Sequence, residues 1–114
     1  TPMASTLERI REGEADPVCE RCGGILKSDT ISFGQDLVPE VIARALEVAA
    51  EADLFLAVGS TLQVYPVAGA VPIAQEAGAR VVIVNGESTA MDELAWRVLQ
   101  GPITPTLSAI CAPT

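Results

Sequence analysis

Two cysteines separated by two residues, Cys19-Glu20-Arg21-Cys22, are the first side chains in this sequence suited to chemistry. Thiolates at that spacing can reach one metal ion, and Gly23 and Gly24 directly after them let the backbone fold tightly round it. Tetrahedral zinc takes four ligands, of which this pair supplies two. In the usual spacing a second Cys-x-x-Cys lies about 15–20 residues away. Nothing downstream fits, and with 18 residues ahead of Cys19 the partner pair is expected just before Thr1. The chain opens on Thr1 and not Met, so Thr1 is not expected to be the natural start. Half of a zinc ribbon, with Cys19 and Cys22 as ligands, is the preferred reading; a redox dithiol and a pair of ordinary thiols stay open. A redox pair normally follows a strand and opens a helix, whereas here Pro17 precedes and Gly-Gly follows. Cys111, near the end of an apolar stretch, reads as a core residue.

Two further clusters stand where strands should end. Gly59-Ser60-Thr61 combines a residue without Cβ, which lets a ligand approach the backbone, with two hydroxyls that can bond phosphate or ribose. Asn85-Gly86-Glu87 offers a carboxylate able to accept both hydroxyls of a ribose. Open α/β sheets bind ligands at the carboxyl ends of their strands, so the two clusters together predict a nucleotide pocket. A Gly-x-Gly-x-x-Gly turn for the pyrophosphate is absent from these residues.

The elements that must hold these groups follow from periodicity. Residues 1–24 carry charge, a short amphipathic stretch (Leu7, Ile10) and the cysteine pair, and are set apart from 25–114 as a separate segment. Ile25–Lys27 and Thr30–Phe33 read as short strands. Pro39 suits the first turn of a helix, with Val41, Ile42, Ala45, Leu46 and Ala49 following at helical spacing. Asp53–Val58 and Arg80–Val84 are buried strands, and Val67–Ala77 is a small-residue helix between them. Met91–Leu99 is either a helix capped by Thr89 or, over Trp96–Leu99, a short strand. Thr104–Cys111 reads as a terminal helix. About 20 residues between the two buried strands imply a parallel crossover, hence an open α/β sheet with helices on both faces.

Composition agrees. Apolar residues make up 49% and aromatics only 4%, so the core must be built from Ala, Val, Ile and Leu, as parallel strands buried between helices require. The net charge of −8 opposes a nucleic-acid-binding surface and helps keep a chain of mean hydropathy +0.37 in solution. No window of roughly 18 apolar residues offers a membrane span. A cytoplasmic protein is expected, since three cysteines do not make a disulfide framework.

Taken in order, Cys19-x-x-Cys22-Gly-Gly, Ile31-Ser-Phe33-Gly34-Gln35-x-Leu37, Gly59-Ser-Thr-Leu-Gln-Val-Tyr-Pro66 and Asn85-Gly-Glu87-x-Thr89 resemble the sirtuins, NAD-dependent protein-lysine deacylases. The resemblance covers nearly the whole chain. It implies the second half of a Rossmann-like parallel sheet, preceded by the last two cysteines of a four-cysteine zinc ribbon. It implies NAD contacts at Gly59, Ser60 and Thr61, where the family usually shows Thr-Ser, and at Asn85, Gly86, Glu87 and Ile103. It implies that Phe33, Gly34 and Gln35 on one side and Gln63, Val64 and Tyr65 on the other form edges between which an acetyl-lysine peptide lies as an added strand. The family usually has Glu where Gln35 stands. The family's glycine-rich loop and catalytic histidine belong N-terminal to this segment, and the sequence contains no histidine. The intact enzyme would convert NAD and acetyl-lysine to nicotinamide, O-acetyl-ADP-ribose and lysine; this chain alone is expected to be inactive.

Two other classes remain in view: a stand-alone interaction or regulatory α/β domain, and a thiol-redox domain using Cys19 and Cys22. In sirtuin topology a further strand would lie beside Asp53–Val58. Its absence from these residues predicts a bare apolar edge and a homo-oligomer that covers it.

Overall fold

The computed structural model describes residues 1–112, in two compact units that meet between Asp36 and Leu37. The division expected after residue 24 lies inside the first unit. That unit opens with α1 (Met3–Arg11), whose last turn carries Arg9 and Arg11, the favourable sign for a helix C-terminus. Arg9 also closes the chain behind the helix. Its guanidinium donates two bonds of 2.7 Å to the Glu14 carboxylate and one of 3.0 Å to the Val18 carbonyl. Val18 in turn makes a single antiparallel bridge with Ile25, enclosing the cysteine pair.

The strands expected over Ile25–Lys27 and Thr30–Phe33 do not form. Ile25 contributes only that bridge, and Ile25 and Phe33 are 90% and 92% exposed, so no neighbouring ladder rewards an extended strand. Local polar bonds take over. The Lys27 ammonium reaches the carbonyls of Ser28 and Thr30, and the Ser32 N–H donates to Gln35 Oε1 at 2.8 Å while the Gln35 N–H returns to the Ser32 carbonyl.

The second unit contains α2 (Pro39–Glu51), β1 (Leu54–Val58), a 3₁₀ turn (Val67–Gly69), α3 (Ala70–Glu76), β2 (Arg80–Asn85), a second 3₁₀ turn (Asp92–Leu94), β3 (Arg97–Gln100) and α4 (Ile103–Ile110). Pro39 occupies the first turn of α2 as expected, because a missing N–H costs nothing there. Of the residues expected on the inner face of α2, Ala49 is buried and Leu46 packs on the core, but Val41 is 62% exposed. The expected Val67–Ala77 helix begins one turn late as α-helix, with the 3₁₀ turn before it. The Met91–Leu99 ambiguity resolves as a 3₁₀ turn followed by the strand β3.

The three strands are parallel in the order β1-β2-β3, pairing Val58 with Val84 and Asn85 with Gln100. Strand periodicity divides the sheet faces. Phe55, Ala57, Val81, Ile83 and Val98 join the core with Ala49, Val71 and Ala74 of α2 and α3. Ile83, 0% exposed on the central strand, contributes on the order of 1.5–3 kcal/mol by its burial. Val84 lies on the opposite face, outside that cluster and equally buried, where α4 packs against β2. Helices thus cover both faces of β2. The edge strand β1 is covered on one face only: Leu54, Leu56 and Val58 remain 60%, 48% and 38% exposed. Cys111, expected in the core, is exposed just past the end of α4, a short helix none of whose residues is buried among the described residues. Among the described residues no helix is long and apolar enough to cross a membrane.

Candidate functional site

Parallel pairing of Val58 with Val84 puts Gly59 and Gly86 at the same end of the sheet. The Gly59 N–H continues the ladder, donating to the Val84 carbonyl at 2.9 Å, and Gly59 then turns the chain with φ of +66°, a conformation that L side chains rarely adopt. A Cβ at this position would lie 3.3 Å from Ile103 Cδ1, so α4 begins directly over the loop. Ser60 and Thr61 are exposed. The Ser60 hydroxyl accepts a 3.1 Å bond from the Leu62 N–H, and Leu62 is buried with φ of +57°. Leu62 is a residue that sequence reasoning passed over, since nothing in a lone leucine signals a left-handed backbone.

The second loop is tied to the first. The Ala90 N–H donates to the Thr61 carbonyl at 3.3 Å, and the Gly101 N–H donates to the Asn85 carbonyl at 2.9 Å. Gly59, Ser60, Thr61, Asn85, Gly86, Glu87 and Ile103 are therefore gathered at one end of one sheet. Their roles divide. Asn85 is only 8% exposed, and its Nδ2 donates to the Glu87 carbonyl at 3.0 Å, which sets the turn, whereas the Glu87 side chain is exposed. Thr89 accepts the Met91 N–H and donates to the Asp92 carboxylate at 2.6 Å, closing the far side of the loop. The result is an open rim of two hydroxyls and one carboxylate above a rigid backbone, suited to a polyol-bearing ligand.

The two expected peptide edges fall in different units. Gly34 has φ of +85° beside the exposed Phe33, and Gln35 uses its carboxamide to hold the Ser32 N–H. Gln63, Val64 and Tyr65 form an exposed, non-helical stretch leading to a cis Tyr65–Pro66 bond.

In the first unit the dithiol loop is tight. The Cys19 N–H donates to the Gly24 carbonyl at 2.8 Å and the Gly23 N–H to the Cys19 carbonyl at 2.7 Å. Backbone N–H groups of Arg21 and Cys22, with the Cys22 side chain, hold the Cys19 thiol below its ordinary pKa by favouring the thiolate. The Gly24 Cβ position lies 3.4 Å from Cys22 Sγ, at van der Waals contact with the sulfur. This is a donor set suited to a thiophilic cation, although no cluster of three or more ligating side chains exists among the described residues. Arg9 anchors the approach to this loop, another role that its sequence position does not announce. Its guanidinium draws the Glu14 carboxyl below the usual range.

The profile of the Sir2 family matches residues 2–66. The chain belongs to the Sir2 family. Among its relatives, the NAD-dependent protein deacetylase 2 of Streptomyces coelicolor is 48% identical over 109 residues, covering 96% of this chain and 45% of that protein. The NAD-dependent protein deacetylase of Rhodopseudomonas palustris is 44% identical over 98 residues, covering 86% of this chain and 38% of the relative. This Sir2 segment thus spans less than half the length of those relatives. A solved structure described as the basis for the mechanism and regulation of Sir2 enzymes superposes with a TM-score of 0.71 at 33% identity, over 94% of this chain and 44% of the other. Another, of Sir2 bound to acetylated peptide, gives a TM-score of 0.71 at 25% identity over 91% of this chain and 43% of its own length. The parallel sheet with helices is the Rossmann-like sirtuin fold.

Proposed function

We propose that this segment supplies one wall of the NAD pocket of an NAD-dependent protein-lysine deacetylase, together with two thiolates of its zinc site. The bond from the Ala90 N–H to the Thr61 carbonyl carries the reading, because it joins the loops after β1 and β2 into one continuous rim. In that rim Ser60 and Thr61 bond phosphate or ribose oxygens, Glu87 accepts ribose hydroxyls, Asn85 positions Glu87, and Ile103 offers an apolar contact to the base. NAD supplies an electrophilic ribose carbon; the residues of this segment only bind and orient. Phe33–Gln35 and Gln63–Tyr65 pair with the backbone of an acetyl-lysine peptide. Cys19 and Cys22 hold zinc jointly with two further ligands, and the metal is structural there, fixing the loop. With no histidine among its residues, the chain alone does not catalyse deacetylation. The exposed edge of β1 draws copies of the isolated chain into a homo-oligomer.

The test is a chimera in which residues 1–114 replace the matching part of the Streptomyces coelicolor relative. NAD-dependent formation of nicotinamide and O-acetyl-ADP-ribose from an acetyl-lysine peptide is expected from the chimera and not from the 114-residue chain. Ser60→Ala combined with Glu87→Gln should raise the KM for NAD by roughly tenfold or more, the loss of two or three hydrogen bonds. A folded chimera that is inactive, or whose KM for NAD ignores that double change, sinks the proposal.

A further inference from the structure

At the end of the sheet away from the nucleotide rim, three side chains converge that no role above employs. Arg80 opens β2, Arg97 opens β3, and Trp96 precedes Arg97. The guanidinium carbons of Arg80 and Arg97 lie 5.1 and 4.8 Å from the centre of the Trp96 ring, within cation–π range. A rise of roughly 3.3 Å per residue along β2 separates this cluster from Asn85 by about 17 Å. The chain has 15 acidic and 7 basic residues, yet neither of these two arginines has a carboxylate partner among the described residues. Beside them lies a shallow, open cavity of about 260 Å³, lined by Gln75, Arg80, Val81, Leu94, Ala95 and Trp96 among others.

We propose that this cavity binds a small carboxylate carried on an apolar body. Arg80 presents a planar fork of donors that matches a carboxylate in bidentate fashion. Arg97 stacks on the same indole without lining the cavity, so it adds positive potential rather than a direct contact. Leu94, Ala95 and the exposed Trp96 ring take the hydrocarbon over the buried Val81, and the Gln75 amide supplies a further polar contact. The lining decides between ligand classes. A bare phosphate would find one guanidinium on a lining that is half apolar, and would leave that apolar half unused. A neutral hydrocarbon would shield Arg80 from water without pairing its charge, which is costly. An acid with an aliphatic or aromatic body satisfies both parts. Its size matches a cavity just below the usual range of roughly 300–1,000 Å³ for ligand pockets.

Trp96 is the only tryptophan in the chain, so its fluorescence reports on this site alone. The probes are octanoate, octan-1-ol and inorganic phosphate, titrated into the 114-residue chain, with calorimetry as a second readout independent of the indole. Octanoate should give a saturable change, and octanol and phosphate none at the same concentrations. Arg80→Gln should weaken octanoate about tenfold or more and Arg97→Gln about threefold, magnitudes of a lost charge-assisted bond and a lost nearby charge. Both arginines are exposed, so circular dichroism should show both variants folded. An equal response to octanol, a response to phosphate as strong as to octanoate, no saturable response, or octanoate binding unchanged in folded Arg80→Gln would each overturn the proposal. All these readouts are independent of NAD and of deacetylation, so the site stands or falls apart from the function proposed above.

Discussion

Replacing Gly59 with alanine places a methyl group where the chain leaves β1 for the nucleotide rim, and the geometry sets the cost. The backbone there has φ of +66°, and holding a residue with Cβ in the left-handed region costs roughly 1–2 kcal/mol. The new Cβ would also meet Ile103 Cδ1 at 3.3 Å. That methyl ends a half-buried side chain able to shift, so the contact adds only a few tenths of a kcal/mol. Together the two effects should destabilise the chain by about 1.3–2.5 kcal/mol, and at about 4–8 °C per kcal/mol the melting temperature should fall by roughly 5–20 °C. Urea unfolding followed by circular dichroism measures the first figure directly. A double-mutant cycle separates the two causes. Ile103→Val removes Cδ1, so Gly59→Ala in that background should cost about 0.3–0.5 kcal/mol less, while the backbone part persists. A loss below about 0.5 kcal/mol would mean that the turn is not left-handed. Strict additivity would mean that α4 does not begin over this loop. Either result refutes the geometry on which the rim depends.

Two other outcomes follow from the same structure. Because its folded pKa is depressed by backbone donors, Cys19 should be alkylated by iodoacetamide with a midpoint at lower pH than in the urea-unfolded chain; its contribution to stability is present above the unfolded value and lost as pH falls through the folded one. Identical midpoints in folded and unfolded chain, read by peptide mass spectrometry, would count against the tight dithiol loop. On the bare face of β1, Leu56→Glu should shift the isolated chain from an assembly toward monomer in light scattering, since Leu56 is 48% exposed and a carboxylate on an edge strand opposes pairing. A wild-type chain that stays monomeric at high concentration would remove the reason for that assembly.

Much of this protein is determined locally and so can be read from sequence. The central strand Arg80–Asn85 announces itself as a short apolar run ended by Gly86, because a strand covered by helices has little room for polar side chains; Leu54–Val58, ended by Gly59, reads the same way, although one of its faces is left bare. The candidate rim was legible for the same reason: glycine, hydroxyl and carboxylate at strand ends have few structural uses in combination. The supports behind the rim were not legible. Asn85 turning inward to the Glu87 carbonyl, Leu62 in a left-handed turn and Ile103 over Gly59 each depend on residues brought together by the sheet rather than by sequence neighbours. The failed strands over Ile25–Lys27 and Thr30–Phe33 make the opposite point: β-propensity is realised only where a partner ladder and a covered face exist. The convergence of Arg80 and Arg97 on Trp96 was likewise decided in three dimensions. Parallel pairing of Val82 with Arg97 places the starts of two strands side by side, and no pattern along the chain records that two arginines will share one indole.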